Sequence, residues 1–248
     1  MTDTLAAVVM AGGLGTRMKS AVPKHFHELL GRRMVDWVIE AGHEIEAAPL
    51  VVVASPVTRD EFSGDGVTVA VQETPLGTGD SVRSARSALA GYDGEVLVLS
   101  GDTPLLTAEL LLELVEAHRA SGAAATILSA EPPDPRVYGR IVRDADGTVR
   151  RIAEGTDASS EERRIGEINS GIYVFRSDAL WPALEQLQPK NVQGELYLTD
   201  TIEIIVASGQ KVGAHIAGDW RQTEGVNTRV ELAQAAAILR DRINEQHM

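Results

Sequence analysis

Arg17 ends and Lys24 follows the glycine-rich stretch "AGGLGTR", residues 11–17, which itself follows a short apolar run. Glycines after a buried strand let the backbone approach a ligand closely and aim its N–H groups at an anion, and a helix start adds partial positive charge. A tight turn is the simpler alternative. A dinucleotide fingerprint would need Gly-x-Gly-x-x-Gly, but Gly13 and Gly15 are followed by Met18 where the third glycine belongs, and the Gly-Lys-Ser/Thr ending of a P-loop is absent. A glycine cradle with two cations and no general base suits nucleotidyl transfer. There the attacking group is already a phosphate, and pyrophosphate leaves from a nucleoside triphosphate.

Asp102 follows "EVLVLSG", which puts a carboxylate at the carboxyl end of a buried strand, where ligands bind in open α/β sheets. Its alternative role is to cap the helix that follows Pro104. His25, His27, His43, His118, His215 and His247 show no metal-ligand spacing beyond the 25/27 pair. Trp37, Trp181 and Trp220 are among only ten aromatics and form no stacking series for single-stranded nucleic acid.

These residues need a scaffold, and the hydrophobic pattern supplies one. Ala6 to Met10, Leu50 to Ala54, Val67 to Val71 and Glu95 to Leu99 read as buried strands, while 34–47, 78–90 and 108–120 carry apolar residues at helical spacing. This βαβ alternation implies a mostly parallel sheet covered on both faces. Tyr138 to Arg143 and Thr148 to Ala153, joined by "DADG", read as a hairpin. "NSGIYVFRS" returns a strand, "ELYLTDTIEIIVASG" reads as a helix closed by Gly209, and "KVGAHIAG" as a last strand. From Thr228 to about Gln246 the chain is alanine-rich and free of Gly and Pro, with Val230, Ala233, Ala237 and Arg240 roughly one turn apart. The expected division is 1–227 for the main domain and 228–248 for a terminal helix.

At 248 residues and 44% hydrophobic content the chain can bury a substantial core, and its net charge of −13 argues against a broad nucleic-acid-binding surface. With no cysteine there are no disulfides, thiolate metal sites or cysteine nucleophile. The apolar runs fall short of the roughly 20 residues of a membrane span, and the N-terminus opens with Asp3 rather than a basic region. A cytoplasmic protein, with no membrane or nucleic-acid partner, is the expectation.

"AGGLGTRM" followed by "PKHFHELLGRRMVDWVI" resembles the signature of the sugar-phosphate nucleotidyltransferase family. "QETPLGTGDSV", "VLSGDTPLL", "YGRIV", "EINSGIYVF", "QGELYLTD" and "EGVNTR" continue the resemblance in order. They are similar to the uridylyltransferase half of the bifunctional bacterial enzymes that make UDP-N-acetylglucosamine. The resemblance runs from residue 5 to about 235. It implies a Rossmann-like three-layer α/β/α fold with a mostly parallel mixed sheet, a small β-hairpin insertion and a C-terminal helix. The implied reaction is Mg²⁺-dependent uridylyl transfer from UTP to N-acetylglucosamine 1-phosphate.

By the same resemblance Ala11, Gly12, Gly13, Gly15 and Thr16 would lie along the nucleotide phosphates. Arg17 and Lys24 would neutralise charge as pyrophosphate leaves. Gln72, Gly77 and Thr78 would read the uracil, Gly77 leaving room for a flat ring. Asp102 and Asn227 would hold the metal, an oxygen-only pair that suits Mg²⁺; Asn227 could equally be a helix cap. Gly139, Glu154, Asn169, Glu195, Tyr197 and Thr199 would surround the sugar. The family's hexapeptide-repeat β-helix is not expected here, nor the acetyltransferase activity, coenzyme A site and trimer that go with it; a monomer or weak homo-oligomer is. Three departures bear on the sugar: Gly155 and Thr156 stand in place of a charged pair ending in lysine, Ser100 in place of an aromatic, and Asp80 adds an anion after Gly79. Another sugar 1-phosphate or another nucleoside triphosphate is the first alternative, and a non-catalytic nucleotide-sugar binding protein the second.

Overall fold

The computed structural model describes residues 4–246 apart from 14, 65 and 136, without the side chains of Thr16 and Gln246; His247 lies outside it. Eleven strands occur among the described residues: β1 (Leu5–Met10), β2 (Glu28–Leu29), β3 (Arg32–Arg33), β4 (Leu50–Ala54), β5 (Thr68–Val71), β6 (Glu95–Ser100), β7 (Ala125–Ala130), β8 (Arg140–Arg143), β9 (Val149–Ala153), β10 (Ile168–Arg176) and β11 (Val212–Ile216). The helices are α1 (Met34–Glu44), α2 (Thr78–Ser84), α3 (Ala108–Ser121), α4 (Ser177–Glu185), α5 (Asp200–Ala207) and α6 (Arg229–Gln246). The main sheet runs β11-β7-β10-β6-β1-β4-β5, with the β8–β9 hairpin attached through β10. All its path neighbours are parallel except β10, which is antiparallel to both β6 and β7.

Strand side chains alternate between two cores. Ala6, Val8, Val51, Val53, Val96 and Val98 face α2, α4 and α5, where they meet Val82, Leu180, Leu184 and Ile202. Ala7, Val9, Val52, Leu97 and Leu99 face α1 and α3, against Val35, Val38, Leu110 and Leu114. Apolar residues at successive positions of one strand therefore both find a helix layer, which is why these strands read as continuous apolar runs rather than alternating ones. The result is the three-layer α/β/α sandwich with hairpin insertion and terminal helix; every strand among the described residues belongs to this sheet or to the small β2–β3 pair.

Two elements carry no clear local signal. Strand β7 is built from "ATILSA" and helix α4 is nine residues long with Pro182 inside it. The α2 segment is shorter than its periodicity suggests, the α-helix ending at Ser84 and giving way to turns. "ELYL" before α5 is not helical. On α6 the buried residues are Ala235 and Leu239, with Leu232, Ala236 and Ile238 partly buried; Val230 is 68% exposed and off the packing stripe. They pack on Leu29, Met34, Leu105 and Val226 of the same chain.

Candidate active site

The chain leaves β1 for β4 and β5 on one side, then returns to β6 on the other side of β1. Such a reversal opens a crevice beyond the carboxyl ends of the central strands, and ligands bind there. A cavity of about 520 Å³ occupies that place. Into it come Gly12, Gly13, Gly15 and Arg17 from the loop after β1, Gln72 after β5, Gly77 and Thr78 at the start of α2, Asp102 after β6, and Lys24, Glu195 and Asn227 from elsewhere. Ala11 is buried behind the loop and donates its N–H to the Val53 carbonyl at 2.8 Å. Thr16 opens the short turn Thr16–Met18.

Gly15 has φ +61°, and a Cβ there would run into Lys24 Cβ. The absent side chain thus lets the turn that holds Lys24 fold back onto the loop. Lys24 is 8% exposed, so it is not the surface lysine of the simpler reading. Its Nζ donates to Asp102 Oδ2 and, at 2.7 Å, to Asn227 Oδ1; Arg17 Nη2 donates to the same Asn227 oxygen at 2.7 Å. Burial alone would raise the Asp102 carboxyl, but the adjacent Lys24 charge and the hydrogen bonds from Lys24 and Ser100 hold it below the usual carboxylate range. Ser100, in place of the expected aromatic, donates to Asp102 Oδ1 at 2.6 Å.

Neither candidate metal ligand is a helix cap. Thr107 Oγ1 accepts from the Leu110 N–H at the head of α3, which leaves Asp102 free of that duty. At α6 a reciprocal box forms instead: Glu231 N donates to Thr228 Oγ1 at 3.2 Å, and Glu231 Oε2 accepts from the backbone N–H of Asn227 and Thr228 at 2.8 and 2.9 Å. The Asn227 side chain is released to face the cavity.

The groups expected to read a base are placed together but differently. Gly77 has φ +117°, and a Cβ there would meet the Leu196 carbonyl oxygen at 2.5 Å. Its small size makes room for the 195–198 segment, and Gly77 also borders the cavity. Thr78 Oγ1 accepts from the Leu198 N–H at 3.0 Å, completing that junction. Gln72 is 6% exposed, and Asp80 is buried with its carboxylate paired to Arg83 at 2.6 Å and to Gln72 Nε2 at 2.9 Å. The Asp80 anion is therefore neutralised where it stands and adds no free charge near a sugar phosphate.

The sugar candidates divide between two places. Glu195 borders the first cavity, whereas Glu154 and Tyr197 line a second, of about 560 Å³, with Asp157, Asp200 and Lys190. Thr199 Oγ1 donates to Glu154 Oε1 at 2.8 Å. Gly139 and Asn169 are neighbours, the Asn169 N–H donating to the Gly139 carbonyl at 2.9 Å, and the Asn169 amide is engaged with the Tyr173 hydroxyl and the Gly171 N–H. Gly155 has no space for a side chain, because a Cβ would strike the Val137 carbonyl. Burial raises the Glu154 carboxyl above the ordinary range; the Thr199 hydrogen bond opposes this and Asp200 and Asp157 add to it.

Sequence reading passed over His25 and Ser81 as lining residues. Burial pushes the His25 imidazole down to about 4, so it is neutral near pH 7. The only signal was its place beside Lys24 in one turn, Lys24–Phe26.

A glycine loop, two convergent cations and a carboxylate–amide pair on the carboxyl edge of a doubly wound sheet define a nucleotidyltransferase. The chain belongs to the MobA-like NTP transferase domain family, which matches residues 7–199. It is similar to proteins named bifunctional protein GlmU: 46% identical over 248 residues in Caldanaerobacter subterraneus subsp. tengcongensis, covering 99% of this chain and 54% of the relative. In Trichlorobacter lovleyi the identity is 47% over 247 residues, covering 98% and 54%, and in Lactococcus lactis subsp. lactis 46% over 244, covering 98% and 53%. The chain thus spans about half the length of these relatives. No helix among the described residues is long and apolar enough to cross a membrane.

Proposed function

We propose that the chain catalyses uridylyl transfer from UTP to N-acetylglucosamine 1-phosphate, giving UDP-N-acetylglucosamine and pyrophosphate, in the cytoplasm. The observation that carries this reading is the convergence of Lys24, Arg17, Asp102 and Asn227 beside the glycine loop. The likeness to the bifunctional proteins supports the choice of substrates. Residues 1–227 form the catalytic body, and α6, which packs on its own chain, leaves a monomer or weak homo-oligomer as the working state.

Asp102 and Asn227 fit a divalent cation. Both offer oxygen, and both face one ammonium, Lys24 Nζ, which marks the space between them as a position for positive charge. When bound there, Mg²⁺ supplies positive charge and orientation to the reacting phosphates. Gly12, Gly13 and Gly15 bring backbone N–H groups up to the triphosphate. An oxygen of the sugar phosphate forms the new bond to the α-phosphorus as the bond to the β-phosphate oxygen breaks, and pyrophosphate leaves. Arg17 and Lys24 hold the negative charge that gathers on the departing group. The attacking oxygen is already anionic, so no side chain need remove a proton.

The test is pyrophosphate release with Mg²⁺ and UTP, comparing N-acetylglucosamine 1-phosphate, glucose 1-phosphate and a sugar-free blank. Release with the acetamido sugar alone is expected. A second reading, another sugar 1-phosphate, is favoured by the exposed Thr156 where a lysine was expected; release with glucose 1-phosphate at an equal or higher rate would establish it.

A further inference from the structure

Gln72 sits just past β5, its backbone N–H bonded to the Ala54 carbonyl at 2.9 Å. Its side-chain Nε2 donates to two groups that can only accept: Asp80 Oδ2 at 2.9 Å and the Gly77 carbonyl at 3.1 Å. The other Asp80 oxygen is held by Arg83 at 2.6 Å, so the carboxylate itself cannot turn away. Rotating the Gln72 amide by half a turn would set Oε1 against two acceptors, one of them charged, which fixes the assignment of O and N on electrostatic grounds. Oε1 accordingly lies on the Gly12 side, where a glycine Cβ would stand only 3.1 Å from it, and no protein group among the described residues donates to it. Gly12 and Gln72 both border the first cavity.

We propose that Asp80 is a positioning residue that locks the Gln72 amide with its carbonyl toward the nucleotide, and thereby selects bases that carry an imide N–H. The inference rests on the reading of this cavity as the nucleoside triphosphate site. Uracil and thymine offer N3–H to an acceptor; cytosine offers an unprotonated N3, which would face Oε1 acceptor to acceptor. Discrimination of this kind is larger than that from shape alone, because a buried polar group is left unpaired by the wrong partner. The extra anion of this loop is thus part of base selection.

The test uses the full chain and direct calorimetric binding of UTP, dTTP and CTP, with Mg²⁺ and without sugar, for the wild type, Asp80→Asn and Asp80→Ser. An asparagine can present either an acceptor or a donor to Gln72, and a serine a shorter version of both, so neither enforces one amide orientation. The expected result is tight UTP and dTTP binding over CTP in the wild type. The UTP to CTP ratio should fall by about tenfold in both variants, in which Kd for CTP improves or holds while that for UTP rises. A merely structural role would weaken all three nucleotides alike and leave the ratio unchanged. That outcome overturns the lock while leaving the proposed activity standing. A wild type that binds CTP as well as UTP, or no nucleotide at all, overturns the lock together with the nucleotide assignment.

Discussion

The nucleotide end and the sugar end of this site are built in different ways. At the nucleotide end Arg17 and Asp102 come from just past β1 and β6, Lys24 from the Lys24–Phe26 turn and Asn227 from the lead-in to α6, and the four are already in contact as one hydrogen-bonded cluster. At the sugar end Glu154, Asn169, Tyr197 and Thr199 come from the hairpin, β10 and the 195–199 loop; Glu154 and Tyr197 line the second cavity, whereas Asn169 and Thr199 line neither. Arg17 and Asp102 follow strands held in a two-sided core, whose packing fixes where these two groups stand. The sugar end rests on loops, which can vary without disturbing the reaction centre. On the proposed reading the sheet fixes the reaction class, and what is attached to it carries the choice of sugar.

If that contrast holds, the largest effects come from the nucleotide end. Lys24→Ala should lower kcat by about 10²- to 10³-fold, since it removes a charge that meets the transition state, and should lower the melting temperature as well, since it leaves the buried Asp102 carboxylate without its cation. Steady-state pyrophosphate release checks this, and a loss of less than tenfold would dissolve the distinction between the two ends. Gly15→Ala should be severe for another reason: at φ +61° a side chain costs about 1–2 kcal/mol. The new Cβ also collides with Lys24 Cβ, so activity should fall along with thermal stability.

At the sugar end Glu154→Gln should raise KM for the sugar phosphate by about tenfold at nearly constant kcat with saturating substrate. It should also change stability in a pH-dependent way. Burial lifts the Glu154 carboxyl above its unfolded value, so its contribution to stability is fully present below the unfolded value and is lost as pH rises through the folded one. Glutamine does not titrate. The variant should therefore melt higher than the parent at about pH 8, with the difference vanishing near about pH 4. A difference that is flat across this range would contradict the raised Glu154 carboxyl.

The smallest effect is expected at the outer support. Thr228→Ala removes the cap of α6 and should cost about 0.5–2 kcal/mol of stability by chemical denaturation, with a modest loss of rate through Asn227. Loss of rate without loss of stability would separate Asn227 placement from the capping box.

The same division governs what could be read in advance. Strands β1, β4 and β6 announce themselves as apolar runs, because each is buried on both faces, while β5 at the sheet edge buries only Ala70. The residues that cap their carboxyl ends, Gly12 to Arg17 and Asp102, follow directly. Strand β7 carries the polar Thr126 and Ser129 among its residues and holds its place through pairing with β10 and β11, a long-range cause with no local trace. The antiparallel direction of β10 is likewise a property of the sheet, invisible in "NSGIYVFRS". Asp80 was legible as a charge but not as a partner of Gln72, because their contact depends on how the start of α2 lies beside the end of β5. Gly77 was legible as a place without a side chain, and only the structure shows the Leu196 backbone filling that space.

The most direct test of the central claim is to follow the phosphorus signals of UTP and N-acetylglucosamine 1-phosphate by NMR, with Mg²⁺, for the wild type and Asp102→Ala matched by circular dichroism. The account predicts UDP-sugar and pyrophosphate from the wild type, and a rate at least about 10³-fold lower from the folded variant. Undiminished product from Asp102→Ala would contradict it, and would move the reaction centre away from the carboxyl edge of β6.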